Sequence, residues 1–165
     1  MTIDDLILTI NALIGISQQS FSVSLGDLTK QSSRIVYNEL IRKSLGKKPI
    51  YGVYLWVNPN TEDVIYIGMS GKLKWTDETK SEVAPGTYSV QKRLVSSRGT
   101  LNGKKDISTW EFLRDKVFTE EKLESMAVYV LGIETAQFSP SYIESLLLQN
   151  FYHQTGKIPK YNNSF

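Results

Sequence analysis

Apolar side chains recur at helical spacing over the first 48 residues. In the first segment they lie three or four positions apart, at Ile3, Leu6, Ile7, Ile10, Leu13 and Ile14. Residues 17–20 are rich in Ser and Gln and predict a break. Apolar positions between residues 25 and 45 predict two further helical pieces, which end at Gly46 and Pro49. We therefore expect residues 1–48 to form a helical extension.

From residue 50 the pattern changes to β-branched and aromatic side chains. Residues 50–57 predict a strand, residues 58–63 a turn and residues 64–68 a second strand, which together form a hairpin. Residues 70–86 are polar, contain a Pro-Gly pair and predict an exposed loop. We interpret this loop as an insertion in a module that spans residues 49–165.

The second half of the chain predicts helices and one more strand. The helical stretches are residues 88–98, 110–117 and 140–154, and the strand is residues 127–133. Ser139 is a favourable N-cap with Pro140 at the first helical position, and Gly156 is expected to end the last helix. These elements predict an α+β fold.

Composition narrows the class of protein. Of the 165 residues 41% are hydrophobic and 22% charged, as in ordinary globular proteins. No apolar run approaches the roughly 18 residues of a membrane-spanning helix. Residues 1–5 include two aspartates and lack the basic start of a secretory signal. With no Cys and only His153, disulfides are excluded and a structural zinc site is disfavoured. We expect a cytoplasmic protein without a membrane partner.

Positive charge is concentrated in one segment, although the net charge is only +2. Residues 87–105 contain no acidic residue and five basic ones, Lys92, Arg93, Arg98, Lys104 and Lys105. Such a cluster binds phosphates with release of counterions, but a solvated surface explains it equally well. Likewise, the helical pieces between residues 25 and 45 fit either a helix-turn-helix that binds DNA or, more commonly, a packed helical pair.

Five sequence features follow one another in a specific order. They are Gly52-Val53-Tyr54 on the first strand, Tyr66-Ile67-Gly68 on the second, Arg93 on the next helix, Glu144 on the last helix and Pro159-Lys160-Tyr161-Asn162 near the end. In this order they resemble the GIY-YIG nuclease family over about residues 50–163. The resemblance implies a small antiparallel or mixed three-stranded sheet flanked by helices. It also implies a metal-dependent DNA endonuclease.

The chemistry of phosphodiester hydrolysis suits these residues. Glu144 can hold one hard divalent cation, Mg²⁺ or Mn²⁺, with waters completing the coordination. Arg93 can contact two phosphate oxygens at once and stays charged at any working pH. The resemblance implies that Tyr54 accepts the proton of the attacking water, beside Tyr66, and that Asn162 orients a water or the backbone of the site.

The chain departs from the family pattern after the arginine, where Ser97 stands in place of a frequent Tyr or His. Tyr88, predicted one turn before Arg93, is an accessory candidate for that place. For His153, a surface or packing role is favoured over that of a general base, since it lies two and a half turns after Glu144, on another face.

DNA is the expected partner. The basic residues assigned to it are Lys72, Lys74, Lys92, Arg98, Lys30 and Arg34. A restriction or defence enzyme is the first hypothesis, because an extension and an insertion accompany the module. A repair or recombination nuclease that recognises DNA structure, and a non-catalytic DNA-binding protein on a decayed nuclease fold, are the alternatives. A homodimer is left open.

Overall fold

The computed structural model describes residues 2–10, 15–75, 81–84, 88–96, 98, 106–134 and 137–162, with the backbone alone at Leu6 and Thr9 and over residues 72–75 and 81–84. The helices are α1 (Ile3–Ile10), α2 (Leu25–Thr29), α3 (Ser33–Leu45), α4 (Val90–Val95), α5 (Thr109–Phe112), α6 (Thr119–Glu121) and α7 (Pro140–Thr155). A π-helical segment, Leu113–Phe118, joins α5 to α6. The strands are β1 (Ile16–Ser24), β2 (Gly52–Val57), β3 (Val64–Ser70), β4 (Lys72–Trp75), β5 (Ser81–Ala84) and β6 (Ser125–Ile133).

The main sheet has four antiparallel strands in the order β1-β6-β2-β3. The α+β class and the hairpin of β2 and β3 are thereby confirmed, whereas the expected three-stranded sheet is one strand too small. In the hairpin, Tyr54 lies opposite Gly68. Since β3 is an edge strand, its outer backbone groups are available for pairing with a segment outside the sheet.

The expectation that residues 1–48 are helical is wrong over β1. Residues 17–20, interpreted as a break, belong to strand β1. This strand pairs with β6 along its whole length, from Ile16 opposite Ile133 to Ser24 opposite Ser125. An edge strand needs backbone partners more than apolar side chains, so its polar residues obscured the strand pattern. The helices α1, α2 and α3 are confirmed, and Gly46 is the C-cap of α3. Residues 11–14 lie outside the described part of the chain.

Two cores cover the two faces of the sheet. On one face, Tyr54 and Trp56 pack in a cluster with Tyr37 and Ile41 of α3. On the other, Val53 and Leu55 pack in a cluster that includes Ile143 and Leu147 of α7. Because neighbouring strand residues point to opposite faces, every residue of β2 is buried. Strand β1 and helix α3 share the first of these cores with the module that begins at residue 49.

Smaller differences concern the segments around the hairpin. The insertion expected as a loop over residues 70–86 contains the antiparallel pair β4 and β5. The helix expected over residues 88–98 is the shorter α4. The last helix agrees with expectation, with Ser139 as N-cap and Gly156 as a left-handed C-cap. Among the residues the structure covers, no helix is both long and apolar enough to cross a membrane.

Candidate active site

Two tyrosines from adjacent strands lie side by side at the edge of the sheet. The ring centroids of Tyr54 on β2 and Tyr66 on β3 are 5.8 Å apart. A Cβ atom at Gly68 would lie 2.7 Å from the hydroxyl of Tyr66 and 2.8 Å from Cζ of Tyr54. The glycine of the second motif is therefore required sterically, because any side chain there would displace the ring pair. A Cβ at Gly52 would likewise collide with the backbone carbonyl of Leu131.

A cleft of about 470 Å³ opens beside this pair. Its lining residues come from the strands and from two helices, and they are Tyr54, Tyr66, Met69, Arg93, Ser96, Arg98 and Glu144. Four of the five candidates from the sequence, all except Asn162, are thus brought together. Tyr54 and Glu144, the first and the last of them, are 90 residues apart in the sequence, and only the packing of α4 and α7 against the sheet assembles the four.

Helix α4 is held in place by contacts at both of its ends. Its N-cap, Ser89, accepts a hydrogen bond from the Lys92 amide at 3.2 Å, and the Val90 amide donates to the Ile50 carbonyl at 2.7 Å. At the other end, the buried hydroxyl of Tyr37 donates to the Leu94 carbonyl at 3.0 Å. These bonds fix Arg93 at the rim of the cleft, where its side chain is exposed.

Glu144 is half-buried on α7 and lines the cleft. Burial raises the pKa of its carboxyl above the ordinary value of 4.5, and the positive charge of Arg93 opposes that rise. Within the described part of the chain this carboxylate makes no hydrogen bond and no ion pair. A partly desolvated carboxylate without partners is well suited to hold a cation.

The chemistry of the donors in the cleft fits one magnesium ion. No group of three or more His, Cys, Asp or Glu side chains that could hold a metal occurs among the residues described. Glu144 is the single acidic residue in the lining. Mg²⁺ keeps several waters and is often held by one or two carboxylates together with substrate phosphates, so a lone carboxylate is compatible with this mode of binding.

Tyr54 is a neutral phenol in this environment. Its side chain is only 3% exposed, and burial raises the pKa of its hydroxyl well above 10. The neighbouring Tyr66 raises this pKa further, by its proximity and through a hydrogen bond, while Arg98 and Arg93 lower it. Tyr54 therefore remains protonated at neutral pH unless more positive charge enters the cleft.

Asn162 lies outside the cleft and pairs with the edge strand. Its Nδ2 donates to the Ile67 carbonyl at 2.7 Å, and its Oδ1 accepts from the Ile67 amide at 2.9 Å. The Tyr161 amide donates to the Ile65 carbonyl at 3.0 Å. Asn162 was expected to orient either a water or the backbone of the site, and these contacts match the second role.

Tyr88 precedes α4 and does not stand on its face as expected. Its ring centroid lies 5.7 Å from Cζ of Arg93 and 4.9 Å from Nζ of Lys92, and its carbonyl accepts a hydrogen bond from Ser70. Tyr88 does not line the cleft. Tyr88 therefore contacts Arg93 without being part of the cleft lining.

Arg98, which the sequence assigned to DNA contact, lines the cleft beside the tyrosines. Its side chain is half-buried there. Its guanidinium lies 4.2 Å from the ring centroid of Tyr66, 4.7 Å from that of Trp56 and 5.1 Å from that of Phe112. Nothing in the spacing along the chain signals this, because the aromatic residues come from three separate elements.

The other basic candidates lie apart from the cleft. Lys30 and Arg34 are exposed near the start of α3. Lys92 lines a separate groove of about 400 Å³ together with Arg42 and Lys47. The side chains of Lys72 and Lys74, and the whole of Ser97, Lys104 and Lys105, lie outside the described residues.

Compared with known proteins, the chain matches no protein-family model, no curated protein and no solved structure. The GIY-YIG resemblance therefore stays an inference from the motifs. The function is inferred from the cleft, from the chemistry of its lining and from the order of the residues along the chain.

Proposed function

We propose that this protein is a DNA endonuclease that hydrolyses phosphodiester bonds with the help of a divalent cation. The observation that carries the proposal is the convergence of Tyr54, Tyr66, Arg93 and Glu144 in one cleft, from β2, β3, α4 and α7. Each is a common residue on its own. Together they supply a cation for phosphate, a carboxylate for metal and two hydroxyls for the attacking water.

Arg93 binds the scissile phosphate in this proposal. Its planar guanidinium contacts two non-bridging oxygens and stabilises the negative charge that grows on them in the transition state. The exposure of Arg93 at the rim of the cleft allows a phosphate of a long polymer to reach it. A buried arginine would require the strand to thread into the protein.

Glu144 would hold the divalent cation, Mg²⁺ or Mn²⁺. When bound, that ion neutralises charge on the phosphate and on the departing 3′ oxygen. The positive charge of Arg93 already acts on this carboxyl. Both groups therefore serve the same small region of the cleft, one for the phosphate and one for the cation that accompanies it.

The two tyrosines orient the attacking water. The hydrogen bond between the two tyrosines raises the pKa of Tyr54. This direction is expected when the Tyr54 hydroxyl donates to Tyr66, because donation stabilises the protonated form. The lone pairs of the Tyr54 oxygen are then free to accept a hydrogen bond from water. To accept a proton from that water, Tyr54 must first lose its own proton, and Arg98 and Arg93 favour the phenolate form because they lower the pKa of Tyr54.

If the extension over residues 1–48 and the insertion over residues 70–86 contact bases, the protein recognises a base sequence and a restriction or defence role follows. Repair or recombination is the alternative, in which the shape of the DNA is recognised. The two differ in where the cuts fall. Cuts at one base sequence in linear duplexes support the first, and cuts at branches or flaps of any sequence support the second.

The decisive experiment is incubation of the purified protein with plasmid, linear and branched DNA in Mg²⁺ or Mn²⁺, followed by sequencing of the cut ends. Cleavage should stop in excess chelator and in Glu144→Gln. Glu124→Gln is the matched control, since Glu124 is exposed and does not line the cleft. No cleavage of any of these substrates by the intact protein, or full activity in chelator, overturns the proposal.

A further inference from the structure

Arg98 is a half-buried cation whose guanidinium has no polar partner in the described part of the chain. Its backbone amide donates to the Ile107 carbonyl at 2.8 Å, which anchors the residue. Its side chain contacts the rings of Tyr66, Trp56 and Phe112 and makes no hydrogen bond or ion pair with any described residue. A guanidinium has five N–H donors, and leaving them unpaired away from bulk water is costly.

A second arginine in the same protein shows the usual solution. Arg114 also lies over an indole ring, with its Cζ 4.7 Å from the Trp110 centroid. Its Nε and Nη2 donate to the two carboxylate oxygens of Asp115, at 2.5 and 2.8 Å. Stacking on an aromatic ring therefore does not by itself explain an unpaired guanidinium. Among the described residues, Arg98 has the aromatic rings but no carboxylate partner.

The aromatic rings hold the Arg98 guanidinium in place, and no described residue occupies its N–H donors, so an anion can bind them. Rings attract the flat face of the cation, and the N–H groups point outward in the plane. The lining of the cleft contains two guanidiniums and one carboxylate, a balance that favours an anionic ligand. A volume of about 470 Å³ also falls in the range of ligand pockets.

We infer that Arg98 forms a second phosphate-binding subsite in the cleft, beside the subsite of Arg93, and that it takes a phosphate of the DNA backbone. The inference rests on the proposed function for the identity of the polymer. A phosphate is favoured over a carboxylate because its several oxygens match the fork of a guanidinium, and because consecutive phosphates follow one another along a strand. Arg98 thereby orients the strand on which Arg93 acts.

The test compares Arg98→Met with Arg114→Met, two arginines that both stack on aromatic rings. DNA affinity is measured in chelator at a series of salt concentrations, so that binding is separated from cleavage. Neutralising one phosphate contact lowers the slope of log affinity against log salt by about 0.9. Arg98→Met should show this loss, and Arg114→Met should keep the slope of the intact protein.

A second measurement uses the unaltered protein and does not depend on the folding of a variant. An arginine-selective dicarbonyl reagent is applied with and without duplex DNA, and modification is quantified for each arginine by mass spectrometry. DNA should protect Arg98 and leave the modification of Arg114 unchanged. A parallel sample with inorganic phosphate identifies the source of the anion.

The outcomes separate the inference from the proposed function. If the protein binds and cuts DNA while Arg98→Met keeps the full salt slope and DNA leaves Arg98 unprotected, the subsite is refuted and the nuclease stands. Protection by inorganic phosphate but not by DNA overturns the assignment of the anion to a DNA strand. A protein that neither binds nor cuts DNA refutes the proposed function itself.

Discussion

The side-chain amide of Asn162 pairs with both backbone groups of Ile67, as an additional strand residue would. The two hydrogen bonds, of 2.7 and 2.9 Å, satisfy the outer edge of β3 at one position. Ile67 stands between Tyr66 and Gly68, so the contact fixes the backbone on which the tyrosine pair depends. An element near the end of the chain thereby stabilises the cleft without lining it.

Replacing Asn162 with Leu should destabilise the protein and weaken cleavage. The change leaves the amide and the carbonyl of Ile67 without their partner, which costs about 1–3 kcal/mol of unfolding free energy. Urea unfolding measures the loss. Asn60→Leu, in an exposed turn, is the control and should change stability little. Equal stability of both variants would show that water replaces the Asn162 amide at no cost.

Gly68→Ala should disrupt the tyrosine pair. The new methyl group would lie 2.7 Å from the Tyr66 hydroxyl and 2.8 Å from Cζ of Tyr54, so at least one ring must move. Overpacking of this kind costs about 1–3 kcal/mol, and cleavage should fall with it. Gly26→Ala is the matched control in α2, where the nearest atom to the new methyl group is 3.6 Å away. Full cleavage by Gly68→Ala would show that the ring positions are not critical.

Glu144→Gln should increase the unfolding free energy of the metal-free protein at neutral pH while abolishing cleavage. Folding raises the pKa of this carboxyl, mainly through burial, so its ionised form destabilises the folded state. That destabilisation is absent below pH 4.5, the ordinary pKa, and sets in as the pH rises through the higher pKa of the folded protein. The stability gained by Glu144→Gln should therefore be present at neutral pH and vanish in acid.

Urea unfolding in chelator at both pH values checks this prediction, with Glu124→Gln as the control at an exposed site. A loss of stability in Glu144→Gln at neutral pH would contradict it. Such a loss would show that the carboxylate is stabilised within the protein by interactions stronger than its desolvation. A stable but inactive variant would also place the effect on cleavage in the chemistry, not in the fold.

Arg93→Lys should lower the single-turnover rate of cleavage while DNA affinity stays within a few-fold. Lysine keeps the charge but loses the two-pronged contact with phosphate oxygens, which matters most in the transition state. The neighbouring Lys92→Arg is the control, because Lys92 is exposed on α4 and does not line the cleft. An unchanged single-turnover rate in Arg93→Lys would make Arg93 an ordinary surface charge.

DNA binding should weaken, with a flatter salt dependence, when Lys30 and Arg34 are both replaced by Glu. The two side chains are exposed near the start of α3, and reversal of their charge repels phosphates. Lys72 with Lys74, in the insertion, makes a second pair for the same measurement. Reversal of the exposed pair Lys122 and Lys157 is the control. Wild-type affinity and cleavage pattern in both test pairs would place the selection of DNA elsewhere.

The elements with strong local signals were determined by the sequence alone. Helix α7 has its N-cap at Ser139 and its C-cap at Gly156, as its capping residues predict. The hairpin of β2 and β3 follows from two β-rich runs with a turn between them. The candidates Tyr54, Tyr66, Arg93 and Glu144 were recognisable because the order of motifs survives in the linear chain.

Strand β1 and the place of Arg98 were decided only by the tertiary structure. The polar residues of β1 form a strand because β6 offers its backbone edge, and no periodicity in one segment records a partner about a hundred residues away. Arg98 lies in the cleft because Tyr66, Trp56 and Phe112 surround it after folding. Local propensity acts between neighbours in sequence, whereas backbone pairing and aromatic contacts depend on distances that exist only in the folded chain.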